Sequence, residues 1–216
     1  MANPKAIIPC AGYGTRMGLQ PHQSKEMLTD PNDKSKYLID YALDLCYSNN
    51  IDPIVISRQG KDELNDYLKP YKLDLIILKE PGKEWAETVL KSQGLWGDKN
   101  ILILPDTRFQ PETIIPDIIK STNCYSSIVV GWHEIKPEDS HKWGTVNSYG
   151  IYEKQGTLFN KAWGILGFTK FSGQELFQSL KPEGTFQFHQ IDECSPEFRK
   201  LNNFKDITRS GTLEKY

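Results

Sequence analysis

The feature that most limits this chain stands at its start. Ala6-Ile7-Ile8-Pro9-Cys10, a short apolar run, leads without a break into Ala11-Gly12-Tyr13-Gly14-Thr15-Arg16-Met17. An apolar run of this length that ends in a glycine-bearing loop reads as a parallel strand covered on both faces. Two glycines let the backbone turn tightly and bring N–H groups against an anion, and Arg16 adds a planar cation. The pattern then continues as a parallel sheet requires. Tyr37, Leu38, Tyr41, Ala42, Leu45 and Cys46 form one helical stripe between Lys36 and Ser48, stopped by Asn49-Asn50. A strand at Pro53–Ser57, a helix at Lys61–Leu68, a strand at Leu73–Leu78, a helix at Glu84–Gln93 and a buried strand at Ile101–Leu104 follow.

Alternating strands and helices with short connections predict an α/β fold: a Rossmann-like, mostly parallel sheet with helices on both faces and ligands at the carboxyl ends of its strands. Residues 11–25 and 105–109 then share one rim. After a helix at Thr113–Thr122 and a strand at Ser127–Trp132 the chain is less regular. Strands are expected around Trp143–Tyr152 and Leu158–Phe168, joined by turns at Ser148-Tyr149-Gly150 and Gln155-Gly156. No linker or repeat divides the 216 residues, so a single domain is expected.

Composition narrows the partners. With 26 basic against 28 acidic residues the formal charge is −2, which disfavours nucleic acid as a partner. No apolar run approaches the roughly 20 residues of a membrane helix, and the N-terminus does not resemble a secretory leader. Cys10, Cys46, Cys124 and Cys194 are scattered, as expected of reduced thiols in a cytoplasmic protein. The four histidines lack the spacing of a metal pair on one helix.

Spacing separates the glycine loop from its rivals. A dinucleotide fingerprint needs glycine or alanine at position 17, which is Met17, and a phosphate-binding Walker loop needs a Gly-Lys-Ser/Thr ending that is missing. A dinucleotide-dependent reductase is therefore disfavoured. Beyond Arg16, Ser24-Lys25-Glu26-Met27-Leu28 adds a second cation at the far end of the loop, and two cations on one loop suit a triphosphate.

These residues carry a resemblance. Residues 6–17, followed by Ser24-Lys25-Glu26-Met27-Leu28, are similar to the G-x-G-T-R…P-K signature of sugar-1-phosphate nucleotidylyltransferases, most of all to the UTP–glucose-1-phosphate uridylyltransferase version. The resemblance implies a nucleotide-diphospho-sugar transferase fold of GT-A-like architecture, with residues 1–132 as the nucleotide-binding half and 133–216 as the sugar-binding half. It implies that Ala11, Gly12, Tyr13, Gly14 and Thr15 cradle a nucleoside triphosphate, while Arg16 and Lys25 neutralise its phosphates. Ile101-Leu102-Ile103-Leu104-Pro105-Asp106-Thr107 resembles the family strand whose aspartate holds Mg²⁺. A carboxylate at a buried strand's end, on the rim of the glycine loop, fits that role physically; its plainer alternative is a helix N-cap or turn residue. Phe204-Lys205-Asp206-Ile207-Thr208 with Gly211-Thr212 resembles the family's terminal D-I/V-G-T, which implies Asp206 as second Mg²⁺ ligand, with Asp192 as its rival.

On the sugar side, Trp143-Gly144-Thr145-Val146 and Glu153-Lys154 resemble the segments that line the sugar pocket, so Gly144, Glu153 and Lys154 are implied to bind substrate. An exposed charge pair is the bland alternative for Glu153-Lys154. Three departures stand out: Ser24 replaces a proline, which is expected to loosen the loop, Gln155 replaces another, and Glu84-Trp85-Ala86-Glu87 stands where relatives start the base-recognition helix with glycine. Trp85 is expected to be core rather than a stacking platform.

The implied reaction is nucleotidyl transfer from a nucleoside triphosphate to a sugar-1-phosphate, with release of pyrophosphate and Arg16, Lys25 and Asp106 as catalytic residues. Two alternatives stand beside it. One is a cytidylyltransferase for an alcohol phosphate such as choline or polyol phosphate; the other is a catalytically silent nucleotide-binding module.

Overall fold

The computed structural model describes residues 2–30, 33–110, 113–122, 127–153, 159–180, 184–188 and 196–206. From the N-terminus, β1 (Lys5–Pro9) is followed by the small antiparallel pair β2 (Thr29–Asp30) and β3 (Asp33–Tyr37). Next come α1 (Leu38–Ser48), β4 (Asp52–Arg58), α2 (Asp62–Leu68), β5 (Asp74–Leu78), α3 (Trp85–Leu90) and β6 (Asn100–Ile103). The sheet order across these strands is β5-β4-β1-β6, with every neighbouring pair parallel. The chain thus winds outward from β1 to β5, then crosses back to the other side of β1 for β6. Such a reversal opens a crevice at the carboxyl ends of the two strands beside it.

The second half extends the sheet past β6. Its elements are β7 (Thr107–Gln110), α4 (Ile114–Ser121), β8 (Ile128–Glu134), β9 (Gly144–Val146), β10 (Gly150–Glu153), β11 (Lys161–Phe168), α5 (Lys170–Ser179), β12 (Thr185–Gln187), β13 (Glu197–Lys200) and β14 (Asn202–Asp206). Strand β11 lies antiparallel to β6, and β9, β10 and β12 continue outward from it, also antiparallel. Strand β8 pairs with β11 and accepts β13 in parallel. Strands β7 and β14 form a separate antiparallel ribbon.

Side-chain alternation along the strands feeds two cores, one on each face of the sheet. Ala6 and Ile8 of β1 point to the face covered by α1, α2 and α4, through Ile39, Leu43, Leu64, Ile115 and Ile118. Ile7 points to the other face, where α3 and α5 pack Val89, Leu176 and Phe177. Burying an aliphatic side chain of this kind contributes about 1.5–3 kcal/mol. No described helix is long and apolar enough to cross a membrane.

The expected α/β architecture is present, and five boundaries or elements differ instructively. Lys36 and Tyr37, expected to open a helix, end β3, and the helix starts at Leu38, where the Tyr37 amide donates to Asp40 Oδ2 at 2.8 Å. Helix α3 stops at Leu90, short of Gln93, which begins a separate 3-10 turn. Strand β6 ends at Ile103, so Leu104 and Pro105 already belong to the rim. Strand β11 starts at Lys161, and the turn expected at Gln155-Gly156 lies outside the described residues. Helix α5 comes from a segment without a marked apolar stripe, and is announced by Thr169, whose side chain accepts from the Ser172 amide at 3.2 Å.

Candidate active site

The glycine loop leaves β1 under strict backbone control. The Cys10 amide donates to the Ile56 carbonyl at 2.8 Å, after which Ala11, Gly12 and Tyr13 pass over the rim. A Cβ at residue 12 would meet nothing within 4 Å, so the space before Gly12 is open cleft. Gly14 is different: its φ of +66° is left-handed, and a Cβ there would stand 2.9 Å from Leu19 Cδ1. Only glycine takes that turn cheaply. A 3-10 turn, Thr15–Met17, follows it.

Lys25 opens a second 3-10 turn, Lys25–Met27, and its Nζ donates to Asp106 Oδ2 at 2.6 Å. Asp106 follows β6, and its side chain is only 7% exposed against 22% for Lys25. The two residues come from segments 81 positions apart and meet on the rim between β1 and β6. Beneath them Glu26 and Lys61 form a fully buried ion pair at 2.8 Å. Lys61 also donates to the Cys10 carbonyl at 2.6 Å, which ties this pair to the root of the glycine loop. Ser24 is buried, and its hydroxyl donates to Glu26 Oε2 at 2.6 Å. Serine in place of proline therefore anchors the loop, contrary to the loosening expected of it. Burial, reinforced by the Glu26 carboxylate, pushes the Cys10 thiol well above its ordinary value, so the thiol stays protonated and inert.

Arg58, at the carboxyl end of β4, grips the loop from below. Its guanidinium stacks on the Tyr13 ring, 4.3 Å from the centroid, and donates to the carbonyls of Gln59 and Pro21. Both arms of the loop are thereby held by one buried side chain. A comparable arrangement backs Asp106: Arg108 pairs with the buried Asp30 and stacks on Tyr41, whose hydroxyl donates to Asp30 Oδ2 at 2.8 Å. Strand β14 pairs with β7 so that Asp206 is opposite Thr107, next in the chain to Asp106.

The far wall follows from strand register. Antiparallel pairing of β11 with β6 sets Ile165 opposite Ile103, which brings the start of β11 to the rim where β6 ends. Gly144 and Glu153 face each other across β9 and β10. Glu153 is 4% exposed, so an exposed charge pair on a strand end is excluded for it. The third wall is the segment from Glu80 to Trp85, shaped by the Gly82 amide donating to Thr88 Oγ1 and the Lys83 amide to Glu87 Oε2, each at 2.9 Å. Trp85 packs on both Trp163 and Phe177 and also lines the cleft; it is core and wall at once.

These walls enclose a cleft of about 540 Å³. Ala11, Gly12, Tyr13, Thr15, Lys25, Asp106, Gly144 and Glu153, all read from the sequence as site residues, line it together, and Gly14 makes the turn behind it. The side chains of Arg16 and Asp206, and all of Lys154 and Asp192, lie outside the described residues. Sequence reasoning missed Arg58, Lys61 and Trp163. Arg58 and Lys61 carried a usable signal, one basic residue closing a buried strand and another just before the next helix.

The architecture is that of a nucleotide-diphospho-sugar transferase fold, with a glycine loop, a lysine and an aspartate gathered at the switch point of its sheet. Among solved structures the chain is similar to a UDP-glucose pyrophosphorylase complexed with UDP-glucose, at 18% identity and a TM-score of 0.72 over 98% of this chain and 96% of that one. It is also similar to the inositol-1-phosphate CTP transferase from T. maritima, at 16% identity and a TM-score of 0.65 over 99% and 93% of the two chains. By sequence it is 24% identical over 174 residues to a Methanocaldococcus jannaschii protein named "Putative UTP–glucose-1-phosphate uridylyltransferase". That match covers 68% of this chain and 60% of the relative's length. No family model matches the chain.

Proposed function

We propose that this protein transfers a nucleotidyl group from a nucleoside triphosphate to a sugar-1-phosphate, releasing pyrophosphate and forming a nucleotide sugar. The observation that carries the reading is the Lys25–Asp106 pair at 2.6 Å, set between the glycine loop and the wall of Gly144 and Glu153. A cation and a carboxylate that neutralise each other exchange partners when a triphosphate arrives with its counter-ion. Kinship with a named uridylyltransferase and with pyrophosphorylase structures supports the same reaction.

In this reading an anionic oxygen of the sugar phosphate attacks the α-phosphorus, the bond to the β-phosphate oxygen breaks, and pyrophosphate leaves with the electron pair. The nucleophile is already ionised, so no general base is needed. Positioning and charge neutralisation carry the rate, as in other phosphoryl-type transfers. The amides of residues 11–15 orient the triphosphate, Lys25 and Arg16 neutralise the charge that grows at the α-phosphorus and on pyrophosphate, and Lys154 and Glu153 hold the second substrate. Mg²⁺ fits the donor set, because Asp106 is a largely buried carboxylate that lines the cleft and the register of β7 and β14 sets Asp206 opposite Thr107, the next residue in the chain. The ion would supply Lewis-acid neutralisation of phosphate charge when bound by these two residues. Buried free thiols at Cys10 and Cys46 fit a cytoplasmic setting.

The likeness to an inositol-1-phosphate CTP transferase, together with a cleft lined by Trp85, Trp143 and Trp163, favours an alcohol phosphate as the second reading. Pyrophosphate release with Mg²⁺, using ATP, CTP, GTP, UTP and dTTP against hexose-1-phosphates and alcohol phosphates, tests both. Release with one nucleotide and a hexose-1-phosphate is expected. Release confined to an alcohol phosphate replaces the sugar, and triphosphate binding without release with any partner replaces the enzyme by a silent module.

A further inference from the structure

Trp163 is the residue of the cleft that ordinary strand geometry does not explain. Side chains two apart on a strand share a face, so Trp163 and Ile165 of β11 would point the same way. They do not: Ile165 joins the core under α1 and α4, and Trp163 the opposite one, with Leu166 and Phe168. The cause is a register shift between Trp163 and Ile165, where Trp163 faces Trp132 of β8 and Ile165 already faces Gly131. An extra residue in one strand re-aims the side chain beside it. Here it turns the indole toward the cleft wall.

Once turned, the indole is 7% exposed, and its Nε1 is buried with no hydrogen-bond acceptor among the described residues. It lies against Gly144: a Cβ at that residue would stand 2.0 Å from Trp163 Nε1 and 2.6 Å from Glu153 Oε2. Residue 144 must therefore be glycine for an indole N–H and a carboxylate to share this corner. Ring packing of Trp163 on Trp85, with centroids 5.2 Å apart, fixes the donor in place. A buried donor left without an acceptor costs about 1–3 kcal/mol, a cost that a ligand can remove.

We propose that Trp163 selects the second substrate by donating its indole N–H to a hydroxyl oxygen, the same hydroxyl donating its proton to Glu153. This rests on the reading above that the wall of Gly144 and Glu153 holds the second substrate. It names that substrate as a polyhydroxylated phosphate, a sugar or a polyol. Three indoles and a carboxylate would also suit a quaternary ammonium, but such a group has no acceptor for the Trp163 N–H. The pocket therefore discriminates between a hydroxylated group, which can accept from Trp163, and a trimethylammonium, which cannot.

The test uses the full chain with α-D-glucose 1-phosphate, myo-inositol 1-phosphate and phosphocholine as probes. In a ¹H–¹⁵N spectrum the five tryptophans give five indole signals, and the one lost in Trp163→Phe belongs to Trp163. Expected is a downfield move of that signal with at least one polyhydroxylated phosphate and none with phosphocholine. Calorimetric affinity for the same phosphate should fall about tenfold in Trp163→Phe, the worth of one hydrogen bond, with the affinity for nucleoside triphosphate kept. Glu153→Gln, which preserves the packing, should weaken the same phosphate alone. The proposal is overturned if the indole signal stays put while a phosphate binds, if no polyhydroxylated phosphate binds, or if phosphocholine moves the signal equally. Pyrophosphate release, measured separately, distinguishes the two claims: Trp163-dependent binding without release removes the reaction and leaves the pocket, whereas release indifferent to Trp163→Phe does the reverse.

Discussion

Lys25 and Asp106 show how much chemistry one contact can concentrate. A buried carboxylate is costly unless paired, and Lys25 pairs it at 2.6 Å on the open side of the rim. Lys25→Ala and Asp106→Ala should each lower turnover by at least about 100-fold, the usual loss when a charge-stabilising group is removed, with the circular-dichroism spectrum unchanged. Near-normal turnover in a folded Asp106→Ala protein removes that residue from the mechanism. Arg58 acts one step back, through Tyr13 and the Pro21 carbonyl. Arg58→Gln is expected to raise the KM for nucleoside triphosphate about tenfold, in line with the loss of a stacked, hydrogen-bonded guanidinium, while the KM for the second substrate stays put. Equal changes in both constants would mean that Arg58 supports the whole domain rather than the loop.

At the level of elements, the turn Lys25–Met27 is joined to α2 and β1 through the fully buried pair of Glu26 and Lys61. Lys61→Met leaves a buried carboxylate uncompensated and should destabilise the protein by about 3–5 kcal/mol in urea unfolding. Adding Glu26→Leu should recover much of that loss; a double variant as unstable as the single one contradicts this account. Helix α1 carries a pH signature. Burial pushes the Cys46 thiol from 9.0 to about 12. Below pH 9 both folded and unfolded chains keep the proton, whereas above it the unfolded chain releases a proton that the folded one retains. Stability should therefore fall from about pH 9 towards 12, by up to about 1.4 kcal/mol per pH unit for this one group. Cys46→Ala should flatten the decline of the unfolding midpoint by that share, and an unchanged slope would rule the thiol out.

The same elements explain what was legible. Strands β1, β4, β5 and β6 are short apolar runs, and α1 a clean stripe, so local pattern suffices for them. Strands β7 and β14 are polar and find each other across nearly a hundred residues, and β13, Glu-Phe-Arg-Lys, is a strand only because β8 accepts it. Site residues divide likewise. Gly12, Gly14 and Asp106 follow strand ends within contiguous motifs, and Lys25 stands in a short motif at the far end of the same loop. Trp163 owes its place to a register shift that no run of residues announces.

The whole molecule places the glycine loop on one side of a switch point and an antiparallel wall on the other, with Glu80–Trp85 between them. A cleft of about 540 Å³ is within the range that takes a drug-sized ligand, and its two ends differ in chemistry, cationic and backbone-lined at the loop, indole and carboxylate at the wall. That asymmetry is what a transfer between two unlike substrates requires. The fate of the α-phosphate tests this most directly. With nucleoside triphosphate labelled at the α-phosphorus, and the second phosphate and Mg²⁺ present, the account predicts that label moves into a nucleotide joined to the second substrate while γ-label appears only in pyrophosphate. Label that remains in the triphosphate, or leaves as free nucleoside monophosphate whatever the second substrate, would contradict it.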